Sequence, residues 1–142
     1  MWVKEEKERT MATLELTEQN LDSHVDKPGI VLLDFWAAWC GPCRAFAPVF
    51  EEASEHYKDI TFGKIDTEKE TAVAQGFQIR AIPTLMVFRD GIIVFSHSGA
   101  LPREALDEII GQEQKLDMED VKKKIAEQEA GAPSEDDFNR ED

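Results

Sequence analysis

Two cysteines separated by two residues, in Trp39-Cys40-Gly41-Pro42-Cys43, are the side chains best suited to chemistry. Thiols at this spacing on the first turn of a helix can approach disulfide distance. They can then hold or release two electrons as dithiol or disulfide. A cysteine at a helix N-terminus meets free backbone N–H groups and the positive end of the dipole, and both favour its thiolate. Cys40 takes that place in the expected helix, whereas Cys43, one turn further in, is expected to be more buried and to stay a thiol. The asymmetry implies an order of events: Cys40 attacks a target disulfide, a mixed disulfide forms, and Cys43 resolves it. A zinc site is the competing use of the pair, since Cys40-x2-Cys43-x12-His56 matches the first three ligands of a finger. A fourth ligand should follow His56 by about three to five residues. Residues Tyr57–Thr61 hold neither His nor Cys, so the redox use is preferred.

The pair must be positioned by the elements around it. Ile30–Ala37 is too continuously apolar for a half-exposed strand and reads as one buried on both faces, as in a parallel sheet. A helix is predicted from about Cys40 to Tyr57, with Pro42 in its first turn, where a missing N–H is harmless, and Pro48 inside it as a kink. Upstream, Ala12–Leu16 reads as a short strand, and Thr17 as the N-cap of a helix over Glu18–Val25. Downstream come a strand at Ile60–Asp66 and a helix at Glu68–Gln75, with Gly76 as its left-handed cap. Thr84–Phe88 and Ile92–Ser96, joined through Asp90-Gly91, form a hairpin. Pro102–Ile110 is a helix with proline at its start. This alternation argues for an α/β fold with a mixed sheet.

Charge divides the 142 residues into three parts. The net charge is -14 overall, 0 over residues 1–10, -8 over 11–110 and -6 over 111–142. An acidic chain disfavours nucleic acid and anionic membrane surfaces, which recruit clustered Lys and Arg. The most apolar run, Ile30 to Cys40, is eleven residues with an Asp inside, against about 20 for a spanning helix. The N-terminus, MWVKEEKERT, is charged where a secretory leader is apolar, and the expected location is the cytoplasm. Met11 opens a second plausible start, and the ten residues before it argue for no function. At the other end, Leu116–Ala130 places Met118, Val121 and Ile125 on one stripe of a charged helix. That stripe is expected to dock on the parent domain. The last residues, APSEDDFNRED, have little to bury and are expected to be disordered.

The chain resembles the thioredoxin family over roughly residues 11–111, leaving 1–10 as an N-terminal extension, 112–130 as a helical extension and 131–142 as an acidic tail. Asp34-Phe35-Trp36 precedes the cysteine motif at the family's spacing, and Ala81-Ile82-Pro83-Thr84 is similar to the loop carrying the family's cis-proline. Asp90-Gly91 and Ser98-Gly99-Ala100-Leu101 fit its last hairpin and the turn after it. The resemblance implies a thioredoxin fold, a central mixed sheet of about five strands flanked by about four helices. It implies Cys40 as nucleophile, Cys43 as resolving thiol, and Asp34 as a buried carboxyl of raised pKa that takes the Cys43 proton. It also implies that Pro83, cis, frees the Ile82 backbone to pair with an extended substrate, with Trp39, Gly41, Pro42, Ile82, Gly99 and Ala100 as the docking surface. Gly41-Pro42 is the dipeptide of reducing members. The implied activity is cytoplasmic protein-disulfide reduction by a monomer, without bound cofactor or metal, recharged by an NADPH-dependent flavoprotein reductase.

The sequence departs from the family at three places. The position where many members carry a lysine partner for the buried carboxylate aligns with Phe62, and Lys64 lies two residues on, on the same strand face. Ala81 stands where glycine is common, and the smallest members lack the extension after Gly111. That extension motivates a rival reading, an interaction or holdase module acting through its C-terminal helix and acidic tail. An oxidase or isomerase relative is a third. Lys122-Lys123-Lys124 is flanked by acids and reads as a solvated helix face. His24, His56 and His97 read as surface or edge residues, and Trp36 as packing.

Overall fold

Strand β2 (Ile30–Trp36) is the axis of the structure, a computed structural model that describes residues 12–131. Its run IVLLDFW is buried on both faces, as the apolar pattern requires. Around it the chain order is β1 (Thr13–Glu15), α1 (Leu21–Val25), β2, α2 (Gly41–His56), β3 (Thr61–Asp66), α3 (Thr71–Gly76), β4 (Thr84–Arg89), β5 (Ile92–Ser98), α4 (Arg103–Gln114) and α5 (Met118–Gly131). The five strands form one sheet in the order β1-β3-β2-β4-β5. β1, β3 and β2 run parallel, and β4 and β5 are antiparallel to their neighbours. This is the expected mixed α/β sheet. The fifth helix is the one read from the sequence as an extension. The N-terminal extension and the tail from residue 132 lie outside the described residues.

Period-two alternation on β2 builds two cores. Val31, Leu33 and Phe35 pack with Leu21 and Val25 of α1, Val73 of α3, and Ile65, Met86 and Phe88. Leu32 packs on the other face with Phe46, Phe50 and Ala53 of α2, Leu106 and Ile110 of α4, and Phe62, Leu85 and Val87. Asp34 alternates with Leu33 and Phe35, so it falls on the α2–α4 face. Gly63 makes room for the Leu16 side chain over β3, because a Cβ there would lie 2.9 Å from Leu16 Cγ and 3.2 Å from Leu33 Cδ2. The β4–β5 turn takes φ 53° at Asp90 and 81° at Gly91, the doubly positive pair of a tight hairpin.

Several element ends differ from the sequence reading. α1 starts at Leu21 with Asn20 at its cap, not after Thr17. The Thr17 amide donates to Asn20 Oδ1 at 2.7 Å, and its carbonyl accepts from Asn20 and Leu21, so residues 17–20 close as a turn. α3 starts at Thr71, not Glu68, because the Asp66 carbonyl accepts from Lys69 and Glu70 and its carboxylate from the Glu68 amide. Gly76 stays inside α3, and the left-handed residue is Gln78, with φ 56°. α4 runs through the 111/112 boundary to Gln114, since Glu113 is buried and Arg89 Nη1 donates to the carbonyls of Glu113 (2.6 Å), Gln114 (3.3 Å) and Leu116 (3.0 Å). On α5, Met118, Val121 and Ile125 are half-buried while Lys122, Lys123 and Lys124 are exposed, with Lys124 paired to Asp120 at 3.1 Å.

Phe50 is fully buried between Phe46 and the edge-on ring of Phe62, whose centroid is 5.2 Å away. Phe50→Ala is expected to destabilise the fold by about 3–5 kcal/mol, read as a lower denaturant midpoint at unchanged slope.

Candidate active site

The cysteine pair sits where β2 hands over to α2. After Trp36 the chain turns, with the Cys40 amide donating to the Ala37 carbonyl at 3.2 Å. Cys40 is the N-cap of α2, in extended conformation (φ -88°, ψ 115°), and Pro42 lies in the first turn. An N-cap side chain ordinarily offers an oxygen to the free amides of that turn. Here the Cys40 sulfur does so, accepting from the Cys43 N–H at 3.1 Å. The two cysteines are joined as a disulfide with Cα atoms 5.2 Å apart.

The expected difference in burial is not present. Cys40 is 4% exposed and Cys43 3%. Cys40 is covered from a distant part of the chain: its Sγ lies 3.7 Å from the Ile82 carbonyl oxygen, and Ile82, Trp36 and Ala37 pack around the pair. The two sulfurs differ instead in their surroundings along the helix. Cys40 Sγ faces an open first-turn amide, whereas Cys43 lies on the helix side that carries Phe46 and Phe50 into the core.

The Ile82–Pro83 bond is cis. The Pro83 carbonyl accepts from the Gly99 amide at 2.8 Å, which brings the end of β5 to the loop. Trp39 is 66% exposed, Gly41, Pro42 and Ala100 are exposed, Ile82 and Gly99 are half-buried, and Pro83 is buried. The residues read from the sequence as a docking surface therefore come from the start of α2, the loop before β4 and the turn after β5.

Asp34 is 1% exposed, and neither carboxyl oxygen has a hydrogen-bond partner. Burial pushes its pKa up to about 7, against a smaller lowering by the Lys64 ammonium and a further raising by Glu51. The strand register corrects the sequence alignment. Phe62 stands beside Leu32, and Lys64 stands beside Asp34. Glu51 of α2 has no place in the sequence reading. Its only sequence signal is helical spacing from Cys43, and its partner, Lys64 Nζ at 3.5 Å, lies on another element. The finger-like third ligand is out of reach, since His56 closes α2 thirteen residues beyond Cys43, about 20 Å along the axis. Among the described residues no group of three or more His, Cys, Asp or Glu side chains is placed to hold a metal.

Comparison with known proteins points the same way. A family model described as "Thioredoxin" matches residues 12–112. A Streptomyces coelicolor protein named "Putative thioredoxin 2" is 52% identical over 121 residues, covering 85% of this chain and 90% of that protein. Thioredoxin of Bacillus subtilis is 39% identical over 103 residues, covering 72% of this chain and 98% of its own. Among solved structures, a mutant thioredoxin from Halobacterium salinarum superposes with a TM-score of 0.68 at 34% identity, over 73% of this chain and 92% of that one.

Asp34 keeps its proton up to about pH 7 in the folded chain, against an ordinary value of 3.8. The folded state therefore binds more protons between those limits. The associated stability is fully present below about 3.8 and is lost as pH rises through 7. Asp34→Asn, which mimics the protonated side chain, is expected to stabilise the oxidised protein by roughly 2–4 kcal/mol at pH 8 and by less than about 1 kcal/mol at pH 4. Denaturant midpoints of both proteins at the two pH values check this.

Proposed function

The chain belongs to the thioredoxin family of thiol–disulfide oxidoreductases and has a protein-disulfide reductase role through Cys40 and Cys43, and on that footing we propose how its residues divide the work. Cys40 is the attacking sulfur, Cys43 the resolving one and Asp34 the proton acceptor. The observation that carries this reading is the Cys43 N–H directed at Cys40 Sγ. In the reduced protein the same donor and the N-terminal dipole of a sixteen-residue helix favour negative charge on that sulfur.

The reaction proceeds in two displacements. Cys40 thiolate attacks one sulfur of the target disulfide; a Cys40–target bond forms and the other target sulfur leaves as thiolate. Ionised Asp34 takes the Cys43 proton, and Cys43 sulfur attacks Cys40 Sγ. The Cys40–Cys43 bond forms and the second target sulfur leaves. Two electrons pass to the target and the pair ends oxidised. A carboxyl titrating near 7 suits this step, because a base works best when its pKa lies near the operating pH.

The target lies as an extended segment along Ile82 and Pro83, with Trp39, Gly41, Pro42, Gly99 and Ala100 as the flanking apolar surface. Exposure of Trp39, Pro42 and Ala100 supports this. No helix among the described residues is long and apolar enough to cross a membrane. We further propose a cytoplasmic monomer recharged by a flavoprotein reductase, with residues 11–111 as the working domain and the remainder of α4 with α5 as an appendage.

Purified protein is expected to reduce insulin with dithiothreitol as electron source. Cys40→Ser should fall to the uncatalysed background, and Cys43→Ser should accumulate mixed disulfides with its targets. Turnover by the Cys40→Ser protein, or mixed disulfides on Cys43 in place of Cys40, would overturn the assignment.

A further inference from the structure

A lysine stands next to Asp34 in the register without bonding to it. Asp34 and Lys64 are paired Cα positions on adjacent parallel strands, so their side chains rise from the same face. Both Asp34 oxygens nevertheless lack a hydrogen-bond partner. Lys64 Nζ instead lies 3.5 Å from Glu51 Oε1 and 5.0 Å from the centre of the Trp36 ring. Glu51 sits on α2, eight residues beyond Cys43, on the helix that packs over the Asp34 face. The Lys64 and Glu51 side chains are 18% and 30% exposed, so water screens the pair only in part. On its other side in the sheet Asp34 is in register with Leu85 of β4, and the α2 residues buried towards the sheet are Cys43, Phe46, Phe50, Ala53 and Ser54. Lys64 and Glu51 are the charges that act on Asp34.

We propose that Glu51 is a positioning residue for the resolving step: it holds the Lys64 ammonium towards α2 and Trp36 and away from the Asp34 carboxyl. The inference deepens the proton-acceptor reading of Asp34 and rests on it. Two carboxyl groups compete for one ammonium on a flexible four-carbon stem. Glu51 is partly exposed and its carboxylate keeps contact with water, whereas a charge on the buried Asp34 carries a desolvation cost. Lys64 therefore settles on Glu51. An ion-paired Asp34 would titrate well below neutrality and would accept a thiol proton poorly. By keeping Lys64 occupied, Glu51 leaves Asp34 with the proton affinity that the second displacement uses.

Loss of the Glu51 charge acts on Asp34 in two ways of the same sign, by removing a like charge and by releasing Lys64. A lysine-free background separates them. The test is the carboxyl carbon titration of Asp34 by NMR in the oxidised protein, with Glu51→Gln, Lys64→Met and the double variant. Glu51→Gln is expected to move the Asp34 midpoint acidward by about one pH unit. In the Lys64→Met background the same change should move it less than half as far. An unmoved midpoint in Glu51→Gln, or an equal displacement with and without Lys64, would overturn the proposal. The pH inflection of single-turnover resolution of a mixed disulfide should follow the Asp34 midpoint across the set. If the carboxyl titrations move as stated while that inflection stays put and is unchanged in Asp34→Asn, the proton-acceptor reading fails, and Glu51's part in the reaction fails with it.

Discussion

A sulfur atom caps a helix in this protein. The first turn of any helix leaves backbone donors without partners, and a Ser, Thr or Asp side chain usually answers one of them. At the head of α2 the answer comes from Cys40, whose Sγ takes the Cys43 amide. Local folding and redox chemistry therefore share one hydrogen bond. The segment before the helix has to end in extended backbone at Cys40, the proline has to come after the cap and not before it, and the central strand β2 has to deliver the chain at its C-terminal end. Each is visible: ψ 115° at Cys40, Pro42 in the first turn, and β2 closing at Trp36. Covalent pairing then follows from helical spacing, which brings the Cα atoms of the two cysteines to 5.2 Å.

The cap alone does not tell the sulfurs apart by access, because the fold buries both. Cys40 owes its cover to Ile82, forty-two residues away along the chain. The asymmetry is electrostatic. Cys40 Sγ has a backbone donor and the positive end of the helix dipole beside it, while Cys43 is set against the apolar face of α2. Asp34, the proton acceptor of the proposed mechanism, lies on the sheet face over which α2 carries Cys43, Phe46 and Phe50.

What could be read from the residues alone follows from the range of the forces involved. Alternation and continuous burial made β2 and its neighbours legible, and the motif with its helix start was legible because caps and turns act locally. The helix starts at α1 and α3 fall later than propensity suggests because Thr17 and Asp66 gather the local amides into turns first, and the left-handed residue is Gln78, not Gly76. Aligning the family's lysine position with Phe62 sets it two residues away from Lys64. Such a slip preserves the strand face, so alternation could not expose it, and only the pairing of Asp34 with Lys64 resolves it. The contact of Glu51 with Lys64 is not legible in the sequence because it depends on a helix crossing over a strand, and the burial of Cys40 is not because its cover comes from a distant loop.

The site is assembled against the preferences of the fold that holds it. A carboxyl without a hydrogen-bond partner in a sheet core destabilises the folded state whenever it is charged, and a leucine at position 34 would suit the surrounding Leu32, Phe46 and Leu85 better. The fold tolerates it because the same strand supplies Val31, Leu33 and Phe35 to the opposite core and Leu32 to its own. A polar group that sequence-level reasoning would reject from an apolar strand is thus the informative one, since consistent local rules fail mainly where function requires it. The desolvation that weakens the core is also what raises the carboxyl's proton affinity, so an Asp34 relieved by a new hydrogen bond or by full pairing with Lys64 would sit more comfortably and accept the thiol proton less well. Under the proposed mechanism stability and proton transfer pull on this residue in opposite directions, and Lys64, held beside Glu51 and Trp36, leaves the carboxyl without a partner.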